Sequence, residues 1–234
     1  MEGRVTLNTF LEYFQQMNWD KLVSFLLQAA AVLICLTLHE LGHGMAAYML
    51  GDPTAKKSRR LSLNPLRHLD PFGALMMLLF GFGWAKPVPI DIRYFKHPKQ
   101  GLALTALAGP ATNFLLAYVA LVGANFFLPL AYAGAAWAEY LVNFLATLCL
   151  SSLGLGIFNL IPFPPLDGSK VVEGFLPDKI TYTILRYERY GMLGLMLVLW
   201  LGWLDGPLVA ARSAVLNLFQ NGAAWAAVLG ARLI

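Results

Sequence analysis

Long apolar runs separated by short polar stretches set the pattern of this chain. Residues 22–50 open with LVSFLLQAAAVLICLTL and then meet HELGH at 39–43. About 20 apolar residues cross a bilayer as a helix, so this helix is predicted to cross most of a membrane before the polar pentad. Gly51, Asp52 and Pro53 end it, with a glycine after the last turn and a proline just beyond. Residues 52–70 are polar and basic. Residues 71–84, PFGALMMLLFGFGW, are apolar but too short to span, which predicts a membrane-dipping segment. After a polar stretch at 85–100, a second apolar helix is predicted over 101–128, containing GPATN at 109–113. A connection at 129–137 leads to a third over 138–161, which closes in NLIPFPPLDG at 159–168. Residues 162–189 read as a polar loop with some helical pattern. Two more apolar segments follow, at 190–204 and 207–230; Arg212, Asn217, Gln220 and Asn221 weaken the last, which either spans or lies along the surface. Residues 1–18 have the mixed character of an interfacial helix rather than of a signal peptide.

The pattern defines an all-α polytopic membrane protein. It has a three-helix core, one or two C-terminal membrane helices and a short membrane-dipping segment. One membrane-embedded domain covers 1–234, with its core at about 22–168 and its C-terminal helices at about 190–230.

Composition agrees with this. Residues AVILMFWYC make up 58% of the 234 residues and charged residues only 13%. That is too apolar for a soluble domain of this size, and it excludes disorder. Two cysteines, Cys35 and Cys149, both inside apolar runs, exclude a disulfide scaffold. The net charge of +4 is not a nucleic-acid signature, because the basic residues sit in short loops beside apolar segments. Nine Lys and Arg fall within 52–100, none within 129–137, and only Arg4 and Lys21 precede the first helix. The positive-inside rule puts 52–100 in the cytoplasm of a cell-membrane protein. HELGH and LDG then lie at similar depth, toward the cytoplasmic ends of their helices.

His39 and His43 are one helical turn apart, so both imidazoles project from one face and can share a metal ion. Glu40 projects beside them, placed to reach a water on that ion rather than the ion itself. With four His and six Glu in 234 residues, chance supplies such a motif about 0.002 times. The alternative is a polar patch lining helix contacts, yet each charged group at membrane depth costs at least ~2.5 kcal/mol. A catalytic zinc takes three protein ligands and leaves one position open. Asp167 is the best third candidate. It follows an apolar helix broken by Pro162, Pro164 and Pro165, and Gly168 beside it permits close backbone approach. It could also be a loop carboxylate facing water. His68 and His97 lie in basic loops and read as solvated. Asn113 has a bland alternative as an interhelical bond next to a Gly-Pro kink, and Asn159 has the same one. Gly109 and Pro110 read as structural.

HELGH, GPATN and NLIPFPPLDG, in that order and at this spacing, resemble the site-2 protease family of intramembrane zinc metalloproteases. LSLNPLRHLDPFGAL and GFGWAKPVPI are similar to its compact bacterial branch, which has no PDZ or CBS domain. The resemblance covers residues 30–200. It implies a three-helix catalytic core, cleavage of transmembrane protein substrates in the service of regulated intramembrane proteolysis, and one Zn2+ per chain. By motif position, His39, His43 and Asp167 would bind zinc and Glu40 would act as general base and acid. Asn113 and Asn159 would help hold substrate or the oxyanion. An edge formed by the basic loop and 71–84 would accept the unwound substrate strand. Two rivals stand beside this reading: a membrane zinc transporter or sensor, and a non-catalytic protein that binds membrane helices. The partners expected are a membrane-protein substrate and the bilayer, with no nucleic acid. Oligomeric state is not readable from the sequence.

Overall fold

The computed structural model describes residues 19–73 and 85–233. The interfacial helix expected over 1–18, and the dipping segment from residue 74 on, lie outside the described residues. Helix α1 spans Trp19–Met49, and the four-residue α2 spans Thr54–Lys57. Helix α3 runs Pro98–Tyr132 and α4 runs Ala136–Asn159, followed by the short α5 at Asp167–Glu173. Helices α6 (Asp178–Trp200) and α7 (Asp205–Gly230) complete the bundle. The described residues form no strand, only one isolated bridge between Leu69 and Ala85.

Among the described residues, three helices are long and apolar enough to cross a membrane: α1 from Lys21, α3 and α4. Helices α6 and α7 pass the same test only together, and they are bent by 85° at the break between them. Helix α3 is the hub and packs against α1, α4, α5 and α7. Its contacts are built from small residues. Ala31 and Cys35 of α1, Ala117 and Ala120 of α3, Cys149 of α4 and Ala223 of α7 share one buried cluster. In lipid the solvent is as apolar as the side chains, so helices associate through close van der Waals packing, which small residues allow.

Two boundaries differ from the sequence reading. Helix α3 continues through Pro129 to Tyr132, and only residues 133–135 connect it to α4, turning on Gly134 at φ +90°. Pro129 removes one amide but does not end the helix in its apolar surroundings. The supposed polar loop at 162–189 contains α5 and the first half of α6. The charges of α6 that suggested a loop alternate with apolar residues at helical spacing instead.

Helix α7 runs parallel to α3. Tyr118 Oη donates to the Gly222 carbonyl at 3.0 Å, and eight residues further along both helices Gly230 abuts the Phe126 carbonyl. Helix α6 meets α7 at the 85° bend, and Asp178 at its start pairs with Lys99 in the first turn of α3.

Candidate active site

His39 and His43 leave α1 on the face turned toward α3 and α5. Asp167 opens α5, just beyond the loop that the three prolines create. Its Oδ2 lies 3.0 Å from His39 Nε2 and 3.1 Å from His43 Nε2, and the two imidazole nitrogens are 3.1 Å apart. All three residues are buried.

This triangle has the donor set and size of a metal site. Ligand atoms around tetrahedral zinc, each about 2.0–2.2 Å from the ion, stand roughly 3.3–3.6 Å apart. The triangle is tighter by a few tenths of an ångström. Lone-pair bookkeeping points the same way. His43 Nδ1 faces the Thr105 carbonyl at 2.7 Å and must carry the hydrogen, so neutral His43 presents a bare Nε2 to the triangle. Asp167 Oδ2 is buried and receives no aligned hydrogen bond. A buried acceptor left unmet costs about 1–3 kcal/mol, and more when charged. Electron-rich atoms converging in a buried site call for a cation.

Gly109 makes room for this arrangement. A Cβ there would overlap His43 Cε1 and Nε2 and would come within 2.8 Å of His39 Cε1. Gly168 plays the equivalent part for Asp167, because a Cβ there would strike the Leu160 and Ile161 carbonyls.

Glu40 is buried next to the set, and its Oε2 accepts from the Val88 backbone N–H at 2.9 Å. Residues 85–90 thus pass directly over the site. A cavity of about 500 Å³ opens here, with His39, Glu40, His43, Asn159, Asp167 and Lys170 forming its polar wall. Met192, Leu195, Met196 and Leu199 of α6 supply apolar wall.

The two asparagines part company. Asn159 lines the cavity, with its Nδ2 donating to the Leu155 carbonyl at 2.9 Å. Asn113 is fully buried and does not line the cavity. It packs beside Gly156, its carbonyl accepts from Ser152 Oγ at 2.8 Å, and its side-chain amide has no partner among the described residues. Of the other histidines, His68 is fully buried rather than solvated, with Nε2 on the Ser62 carbonyl at 2.8 Å. The loop folds over it, which no local pattern signals. His97 is exposed ahead of α3. Val88 and Lys170 escaped the sequence reading. Val88 acts through its backbone, and Lys170 becomes visible only once α5 is known to start at Asp167.

Helices of membrane-spanning length that hold a His-His-Asp set beside a buried glutamate define a membrane-embedded metallohydrolase. Comparison with known proteins gives the family: residues 27–201 match peptidase family M50, and the chain belongs to it. It is similar to the zinc metalloprotease YwhC of Bacillus subtilis, with 39% identity over 199 residues, 81% of this chain and 89% of YwhC. The zinc metalloprotease Rip2 of Mycolicibacterium smegmatis is 29% identical over 180 residues, 75% of this chain and 67% of Rip2. Zinc metalloprotease MJ0392 of Methanocaldococcus jannaschii is 30% identical over 152 residues, 64% of this chain and 34% of that longer protein. No solved structure matches the chain. The protein is a zinc metallopeptidase of the site-2 protease type, carried on membrane helices.

Proposed function

We propose that this chain is an intramembrane endopeptidase that cuts peptide bonds in or near the transmembrane helices of membrane-protein substrates. We assign one membrane-embedded peptidase domain to the whole chain, with its site toward the cytoplasm. The observation that carries the reading is the placement of Glu40 beside the His39–His43–Asp167 triangle, in one cavity among spanning helices.

His39, His43 and Asp167 would hold the zinc. Bound there, zinc supplies Lewis-acid polarisation of water and of a peptide carbonyl. Glu40 supplies the proton transfers. Its Oε2 is committed to the Val88 N–H, which fixes the carboxylate plane and leaves Oε1 to take a proton from the attacking water. The same oxygen then delivers that proton to the leaving amide nitrogen. A helical substrate must unwind first, since its carbonyls are already hydrogen-bonded. The unwound strand then lies against residues 85–90, with Asn159 holding it from the opposite wall. Asn113 would join substrate only if α4 shifted. The nine basic residues of 52–100 support the cytoplasmic orientation, and regulated intramembrane proteolysis is the role we propose from the family.

The test measures zinc content and cleavage of a model transmembrane substrate in liposomes, for wild type and Glu40→Gln. About one zinc per chain in both, with cleavage in wild type alone, is the expected outcome. Chelation should abolish wild-type cleavage, and added zinc should restore it. A Glu40→Gln protein as active as wild type would overturn the reading. So would a purified wild type that takes up no zinc, while zinc uptake without cleavage in either protein would favour a binding or transport role.

A further inference from the structure

Amide hydrolysis passes through a tetrahedral state in which the former carbonyl oxygen carries negative charge. Enzymes meet that charge with hydrogen-bond donors aimed at it. The polar wall of the cavity offers few. His39, His43 and Asp167 face the metal position, and Glu40 is an acceptor. Asn159 Nδ2 gives one of its two hydrogens to the Leu155 carbonyl and keeps one for substrate. Asn113 lies outside the wall. That leaves Lys170 as the charged donor.

Lys170 stands three residues after Asp167 on α5, on the same helical face. Lys170 lines the cavity, and its Nζ is 4.0 Å from Asp167 Oδ1, the oxygen turned away from the imidazoles. That separation is too long for a hydrogen bond. Among the described residues it is the single polar contact of the ammonium, so all three N–H donors remain available at one carboxylate's width from the triangle. The four-carbon stem lets the ammonium swing into the cavity.

We propose that Lys170 is a further catalytic residue, whose ammonium donates a hydrogen bond to the substrate carbonyl oxygen as it becomes the oxyanion. The inference rests on the peptidase reading above. In the step, the water oxygen bonds to the carbonyl carbon and the C=O π pair moves onto oxygen, beside Lys170. When that pair returns, the C–N bond breaks and the nitrogen takes the proton held by Glu40. Lys170 keeps its own protons throughout.

The competing role is purely local, with Lys170 steadying Asp167 as a ligand. Lys170→Met and Lys170→Arg separate the two. For Lys170→Met, kcat should fall about 10²–10³-fold, the loss typical of a deleted oxyanion donor. KM should stay within about threefold, because the interaction is made in the transition state. Zinc should remain at one per chain with unchanged affinity, and Lys170→Arg should recover part of kcat. A phosphonate peptide that mimics the tetrahedral state should bind Lys170→Met more weakly by a factor similar to the kcat loss. Binding of intact substrate to a Glu40→Gln background should not change when Lys170→Met is added. A kcat within threefold of wild type would overturn the proposal, and so would zinc affinity falling in step with kcat. A wild type that binds zinc but does not cut would overturn the peptidase reading itself, and this inference with it.

Discussion

At the scale of single residues, the site depends on an absence. Gly109 sits inside a long helix, where alanine is ordinarily better by about 1 kcal/mol. Here a methyl group would occupy the space of the His43 ring. Gly109→Ala should therefore strip zinc and abolish cleavage, where propensity alone predicts a small gain in stability. Metal analysis of the purified variant decides this, and a full zinc complement would show that the imidazoles can be moved aside. Asp167→Asn gives a second residue-scale test. It keeps the shape but removes the negative charge, so zinc should dissociate at least tenfold more readily, as measured by competition with a chelator. The sequence disclosed His39, Glu40 and His43 because helical periodicity alone places them together. Asp167 was legible through depth and its prolines. Gly109, Thr105 and Val88 were not, because each acts across a gap between elements through backbone or missing atoms, and such partners leave no trace in local spacing.

At the scale of elements, the short segment 85–91 matters more than its lack of secondary structure suggests. It is fastened at four of its residues. The buried Arg60 guanidinium donates to the carbonyls of Arg67, Lys86 and Pro87, and the Lys86 amide donates to the His68 carbonyl. Val88 binds Glu40, and the Asp91 amide binds buried Asp52 at 2.7 Å. Pro87 and Pro89 have no amide to satisfy, which suits a segment that pairs with no strand among the described residues. Arg60 thus steadies the segment that holds Glu40, the proposed general base. Arg60→Met should lower kcat by about 10–100-fold, the scale of effect that small misplacements of reacting groups produce, while zinc content stays at one per chain. Unchanged kcat would show that Glu40 holds its orientation without this clasp. The three spanning helices were readable from apolar run length, because the bilayer imposes that length. The clasp was not, since a basic loop beside a membrane looks the same in sequence whether its arginines face lipid headgroups or buried carbonyls.

At the scale of the whole molecule, the unresolved sequence question was whether the last segment crosses. Contacts along α3 bear on it. Lys99, in the first turn of α3, pairs with Asp178 at the start of α6. Gly230, at the end of α7, abuts Phe126, close to the turn at 133–135 that leads into α4. Between Lys99 and Phe126 α3 climbs about 40 Å at 1.5 Å per residue, more than the ~30 Å hydrocarbon thickness. We therefore expect the bent pair to enter at the basic-loop face and leave at the opposite one, with α6 beside the site and α7 making the ascent. The polar residues that blurred the reading serve this packing: Asn125 Nδ2 donates to Gln220 and to the Ala223 carbonyl. Single cysteines introduced at Lys57, Ala135 and Arg232 test the topology, since native Cys35 and Cys149 are buried. In intact cells an impermeant thiol reagent should label Ala135→Cys and Arg232→Cys and spare Lys57→Cys until the membrane is opened. Labelling of Lys57→Cys alone would invert the orientation. Protection of both Lys57→Cys and Arg232→Cys would make the bent pair re-entrant, and α7 would then have to leave the groove beside α3 in which it is packed.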